Sequence, residues 1–181
     1  MRLALIFLTL IIASFSHADI NFQCKIKESS FIIMEEGKPA LDYGFLNDAS
    51  AKVFVRNNGE KSITHGIEID RDMMTFINFE NHIALDGDYE WIKKSVHKDK
   101  ASIVRFLDDQ YQIVKISEDA IDLKYFAQWK YDWTDKSVRL QRYYKNDWQG
   151  YFVSHVGEAP VIYGLDCRNK GDDILEFIKK L

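Results

Sequence analysis

The side chains that could do chemistry are few and scattered. Beyond residue 18 the chain has four histidines: His65, His82, His97 and His155. None forms a His-x-His or His-x-x-x-His pair and none neighbours a cysteine, so a zinc site would need ligands converging from distant segments. Acidic residues gather where turns are expected: Asp70 and Asp72, Asp86-Gly87-Asp88 with Glu90, Asp108-Asp109, and Asp172-Asp173. Oxygen ligands around a glycine suit Ca²⁺, but the twelve-residue EF-hand spacing is missing and Asp-Gly-Asp is ordinary turn chemistry. No metal and no cofactor is expected. Ser154-His155 is an adjacent hydroxyl–imidazole pair. In an extended segment adjacent residues point to opposite faces, so these two could not act as nucleophile and base. The chain has no Gly-x-Ser-x-Gly elbow and no glycine-rich phosphate loop.

Aromatic side chains are the richer signal. Residues 125–152 concentrate Tyr125, Trp129, Tyr131, Trp133, Tyr143, Tyr144, Trp148, Tyr151 and Phe152. Tyrosine and tryptophan join a large contact area to a polar handle, which serves binding surfaces. They serve equally as cross-strand pairs of a plain β core. Phe126 stands among polar neighbours on the face opposite Tyr125 and Ala127. Phe126, Tyr143, Tyr144, Trp148 and Tyr151 are the candidate binding residues.

The elements that must position these residues are extended. From Ile121 to Trp133 every odd position is apolar or aromatic, and the even positions are polar apart from Phe126. Alternation with a period of two belongs to a strand with one buried and one wet face. One continuous strand over 119–133 is expected, turning near Thr134-Asp135-Lys136. Around it the pattern repeats at short range. Asn21–Ile26, Phe31–Met34, Ala51–Arg56, Lys61–Asp70, Met73–Glu80, Tyr89–Val96, Ala101–Leu107, Gln110–Ile116, Ser137–Lys145, Trp148–Val156 and Val161–Cys167 all read as strands. Polar turns such as Asn57-Asn58-Gly59 separate them. Leu41, Phe45 and Ala49 share a helical face, so residues 40–50 are expected to be a short helix or packed loop. At the end the period changes: Asp172 or Asp173 can cap a helix in which Ile174, Leu175, Ile178 and Leu181 share a side. The fold expected is an all-β antiparallel meander, a small barrel or sandwich, with one short C-terminal α-helix.

The first residues indicate the compartment. Arg2, the apolar run 3–15 and Ser16-His17-Ala18 have the layout of a secretory signal peptide cut before Asp19. The run is shorter than the ~20 residues that span a bilayer. A leader over 1–18, a single domain over 19–181, a periplasmic or secreted location and no stable membrane insertion after cleavage are expected. Cys24 and Cys167 are the only cysteines, and in an oxidising compartment they are expected to form a disulfide. The net charge is −4 with both signs interspersed, which lacks the basic patch that nucleic acid or an anionic membrane requires.

These readings point to an exported, non-catalytic binding protein. It would present an aromatic surface on a disulfide-closed β scaffold to a protein, as an inhibitor or immunity protein does, or to a small apolar ligand. The alternatives are an exported hydrolase whose carboxylate or histidine site is assembled only in three dimensions, and an envelope structural component.

Overall fold

The computed structural model describes residues 18–31, 33–35, 38–40, 46–59, 61–86, 91–130, 132–156 and 159–181. The expected leader therefore lies outside the described residues, save for Ala18. So do Leu41 and Phe45 of the expected helix or packed loop, while residues 46–48 form a turn.

Alternation becomes strand nearly everywhere. The long first strand is β1 (Ala18–Phe31), followed by a small hairpin of β2 (Ile33–Glu35) and β3 (Lys38–Ala40). Three strands make the next meander: β4 (Ser50–Asn57), β5 (Ser62–Arg71) and β6 (Met74–Ala84). Seven more follow: β7 (Trp91–His97), β8 (Lys100–Leu107), β9 (Gln110–Ser117), β10 (Ala120–Trp129), β11 (Asp132–Tyr144), β12 (Asp147–Val156) and β13 (Ala159–Asn169). Eleven strands form one antiparallel sheet in the order β6-β5-β4-β1-β13-β12-β11-β10-β9-β8-β7. The register of β1 shifts between Ile26 and Glu28, within a strand that joins the two runs expected from sequence, Asn21–Ile26 and Phe31–Met34, only as far as Phe31.

The topology itself demands curvature. Strands β6 and β7 follow each other in the chain, yet they are the two opposite edges of the sheet. Six residues join them, a reach of about 25 Å at most, whereas eleven strands laid flat would separate the edges by about 50 Å. The sheet therefore curls into a half-barrel. Arg105 on β8 ties the two arms together, its Nη1 donating to the His82 carbonyl oxygen on β6 at 3.3 Å. Inside the curl lie Phe22, Val53, Ile67, Ile83, Ile103, Leu123, Leu140 and Phe152, all fully buried.

Helix α1 (Ile174–Lys180) plugs the half-barrel, touching β1, β8 and β9. Asp173 caps it, accepting from the backbone N–H groups of Leu175 at 2.9 Å and Glu176 at 3.2 Å. Ile174, Phe177 and Ile178 are buried in the core. The far end is held from both arms: Asn57 of β4 donates to the Lys180 carbonyl at 2.9 Å, and Lys94 of β7 donates to the carbonyl of Leu181.

The expected disulfide is present. Cys24 and Cys167 stand directly opposite each other on β1 and β13, with Cα atoms 3.9 Å apart and 143 residues between them in sequence. It joins the first strand to the last at the middle of the sheet.

The expected strand over 119–133 is not continuous. Strand β10 ends at Trp129 and β11 begins at Asp132, with Trp129 paired to Asp132. Lys130 takes a positive φ of 46°, the left-handed backbone that such tight hairpins need. Residues 134–136, expected as the turn, lie within β11. The pairing of Trp129 with Asp132 reverses the parity of inward positions: Ile121 and Leu123 face the core on β10, while Val138 and Leu140 do so on β11. Trp133, on an odd position past the turn, consequently faces outward and is exposed.

At two glycines the neighbouring strand leaves no room for a side chain. A Cβ on Gly66 would lie 1.8 Å from the Phe79 carbonyl oxygen, and one on Gly150 would lie 1.8 Å from that of Arg139. Only glycine permits that approach inside a strand.

Candidate functional site

The register of the outer face of β7–β10 builds one surface. Trp91 pairs with Phe106, Phe106 with Tyr111, and Tyr111 with Phe126. Four aromatic side chains thus form a ladder across four strands, with ring centroids 5.4, 6.4 and 5.2 Å apart. Trp91 is 61% exposed and Phe106 44% exposed. The first two contacts are tilted, while Tyr111 and Phe126 stack with their planes 13° apart. Burial pushes the Tyr111 phenol pKa up, and the charge of Asp135 adds to the shift. Asp135 is the next member of the row, opposite Phe126. Nearby, Trp133 packs on His155 at 4.7 Å, and His155 Nδ1 lies 3.3 Å from the Asp135 carbonyl oxygen.

At the opposite end of the same four strands the outer face turns polar. One outward row reads Ser95, Ser102, Lys115 and Asp122, and the next reads His97, Lys100 and Ser117, followed by Ala120. Together with Asp119 they line an open groove of about 370 Å³. Ser95 Oγ lies 3.2 Å from His97 Nε2. Asp119 accepts a 2.7 Å hydrogen bond from Ser117 Oγ, which holds its carboxyl below the usual range, with Lys100 and Arg142 contributing. Asp122 meets Arg139 at 3.5 Å. Neither Lys100 nor Lys115 forms an ion pair among the described residues.

The sequence-predicted binding residues do not form one patch. Phe126 belongs to the ladder, half-buried against Tyr111. Tyr143 and Tyr144 are strongly exposed near the β11–β12 turn, where Lys145 Nζ sits 5.3 Å from the Tyr144 ring. Tyr151 faces outward on β12, opposite Arg139. Trp148 is 1% exposed and lies in the core, edge-on to Phe22 at 4.9 Å. Parity separates it from Tyr151: residues 148 and 151 are an odd number apart on one strand and must face opposite ways. Trp91, Phe106 and Tyr111, which complete the ladder, were not singled out from sequence. Each sits on a different strand, and only register brings them together.

The histidines also stay apart. His82 faces Thr64 across β5–β6, with Nδ1 and Oγ1 3.3 Å apart. His97 lies on β7 and His155 on β12. His65 points into the core, edge-on to Phe79 at 5.9 Å. It is fully buried, and desolvation lowers its pKa to about 4, although Gln112 pulls the other way. Gln112 is its polar neighbour, yet neither imidazole nitrogen nor Gln112 Oε1 meets hydrogen-bond geometry. Gln112 begins an inward row that continues through Tyr125, Lys136 and Ser154. Burial likewise lowers the Lys136 pKa, its ammonium lying 5.5 Å from the Phe79 ring. Among the described residues, no three His, Cys, Asp or Glu side chains gather as metal ligands.

Ser95 and His97 are a hydroxyl–imidazole pair within reach, as Thr64 and His82 are, in contrast to Ser154-His155. A Ser-x-His spacing on a strand places both side chains on one face, a signal open to sequence reading. Among the described residues no carboxylate hydrogen-bonds the second imidazole nitrogen, so the orienting third member of a triad is not in place.

No protein-family model and no curated protein matches this chain. Among solved structures, the monomer form of the M. tuberculosis PknI sensor domain aligns over 86% of this chain and 87% of its own, at 11% identity and a TM-score of 0.33. An acyl-CoA thioesterase II, TesB2 of Mycobacterium marinum, aligns over 86% and 82%, at 7% identity and a TM-score of 0.18. Likeness at this level transfers no function. Among the described residues no helix is long and apolar enough to cross a membrane.

Proposed function

We propose that this chain is an exported, non-catalytic binding protein whose contact surface is the outer face of β7–β10. The observation that carries the reading is the aromatic ladder Trp91–Phe106–Tyr111–Phe126 on the outer face, exposed at Trp91 and Phe106 and half-buried at Tyr111 and Phe126. Exposed aromatic side chains held on a hydrogen-bonded sheet lose little conformational freedom on binding, so contact area converts efficiently into affinity. The ladder takes a protein or a small molecule that offers it apolar surface.

Export is supported by the leader-like residues 1–18, by the disulfide, and by the surroundings of Asp19. Its backbone nitrogen lies 3.1 Å from Asp172 Oδ2, and the Asp172 N–H donates back to the Asp19 carbonyl at 2.8 Å. Cleavage after Ala18 would turn that amide into an α-ammonium facing a carboxylate, a stronger charge-assisted contact. N-terminal sequencing of protein from its own compartment would read Asp19 first. An intact residue 1–18 segment on the exported, functional protein would refute this processing.

The binding reading is tested by immobilising the mature protein and a Trp91→Ala/Phe106→Ala variant in parallel and exposing both to extracts of the compartment. A ligand retained by the wild type and lost by the folded variant supports it. Equal retention by both, or turnover of substrate by the wild type without retention, overturns it.

A further inference from the structure

We propose that the groove at the polar end of β7–β10 binds a neutral oligosaccharide whose chain continues onto the aromatic ladder. This rests on the outer face of β7–β10 being the contact surface and names the class of ligand that it takes.

The lining of the groove argues for this class. Two lysines, Lys100 and Lys115, are matched by two aspartates, Asp119 and Asp122, with the hydroxyls of Ser95 and Ser102 beside them. The lysine and aspartate charges that line it sum to zero, Asp122 being shared with Arg139 at its edge, and the wall is dense in both donors and acceptors. An anion would face two carboxylates and a cation two ammonium groups. A sugar hydroxyl donates and accepts at once and meets complementary groups on every side.

The groove is also continuous with an apolar surface. Between the polar rows and the ladder runs one outward row of Lys93, Val104, Ile113 and Lys124. From the His97 row to the Trp91 row is three outward-facing steps, about 20 Å along the strands. An extended chain with polar hydroxyls and apolar C–H faces can lie along that path, with hydroxyls in the groove and a C–H face against Trp91. The groove is open, which suits a chain passing through it better than a small molecule sealed inside. The contact between Ser95 Oγ and His97 Nε2 pre-sets two of the groups that the ligand meets.

Titration calorimetry with cellotetraose, chitotetraose and maltotetraose, with inorganic phosphate as the charged control, tests the proposal. At least one tetrasaccharide is expected to bind at millimolar affinity or better. Lys115→Ala and Asp122→Asn in the groove, and Trp91→Ala at the ladder, should each weaken binding about tenfold. These side chains sit on the outer face away from the core, and circular dichroism of each variant checks that the fold is kept. Failure of all three sugars to bind, tighter binding of phosphate, or sugar binding indifferent to the groove variants overturns the saccharide assignment. A protein captured through Trp91 and Phe106, with no sugar bound, would overturn it while leaving the binding reading of the ladder standing.

Discussion

His65 gives the sharpest test of how the core is built. The imidazole is fully buried on β5 among Phe79, Gln112 and its cross-strand neighbours Val55 and Asn81. Burial holds its pKa at about 4, against 6.5 when solvated. The unfolded chain therefore binds a proton more readily than the folded one between these two values. Stability from this group is complete above pH 6.5, is lost as pH falls towards 4, and declines no further below that. The whole displacement corresponds to about 3 kcal/mol. His65→Leu removes the titration while keeping an apolar side chain of similar reach. Urea unfolding followed by tryptophan fluorescence, with the disulfide intact, should be measured at pH 7 and pH 4 on both proteins. Carboxylates titrate alike in both, so the difference between wild type and variant isolates the imidazole. That difference should shift by about 3 kcal/mol against the wild type on going to pH 4. Parallel pH curves for the two proteins, or an NMR titration of His65 near 6.5, would refute a buried neutral imidazole.

Three other perturbations follow from the same architecture. Cys24→Ala/Cys167→Ala frees a loop of 143 residues, and the chain-entropy model sets the loss at about 5 kcal/mol; an unchanged urea midpoint would contradict this. Gly150→Ala forces a Cβ against the Arg139 carbonyl and should cost about 2 kcal/mol or more by parting β11 from β12, read as a lowered Tm. Asp173→Ala removes the cap of α1 and should cost about 1 kcal/mol, with hydrogen exchange accelerating first at Leu175 and Glu176, whose N–H groups the cap accepts.

Much of the fold was legible because a strand writes its burial into alternate positions. Ile121, Leu123 and Ala127 are buried as their parity predicts, and Ile174 and Ile178 face the core as a helical period requires. The reversal between β10 and β11 was misplaced because Lys130, which takes the left-handed backbone, is not an Asn or Gly that advertises such a turn. The parity switch between Ile121–Leu123 and Val138–Leu140 does record that a turn intervenes, but not where. Trp148 was taken as a surface residue because aromatic density was weighed above strand parity. The ladder was only partly visible: Phe126 stood out against polar neighbours, whereas Trp91, Phe106 and Tyr111 each sit in ordinary alternating segments.

Local sequence thus determined which residues are extended, which face of each strand is apolar, where the helix begins, and that two cysteines were available to pair. These are properties of a residue and its near neighbours, and periodicity carries them. The expected meander makes consecutive strands neighbours, but tertiary structure alone decided how the two runs of strands join and in what register. Apart from the cysteine pair, which implies that β1 meets β13, sequence says nothing of the curl that leaves β6 and β7 as facing edges or the register that aligns Trp91, Phe106, Tyr111 and Phe126. Pairing between strands depends on backbone hydrogen bonds that every residue except proline can donate, so the partner is chosen by closing the whole core rather than by the side chains that later meet on its surface.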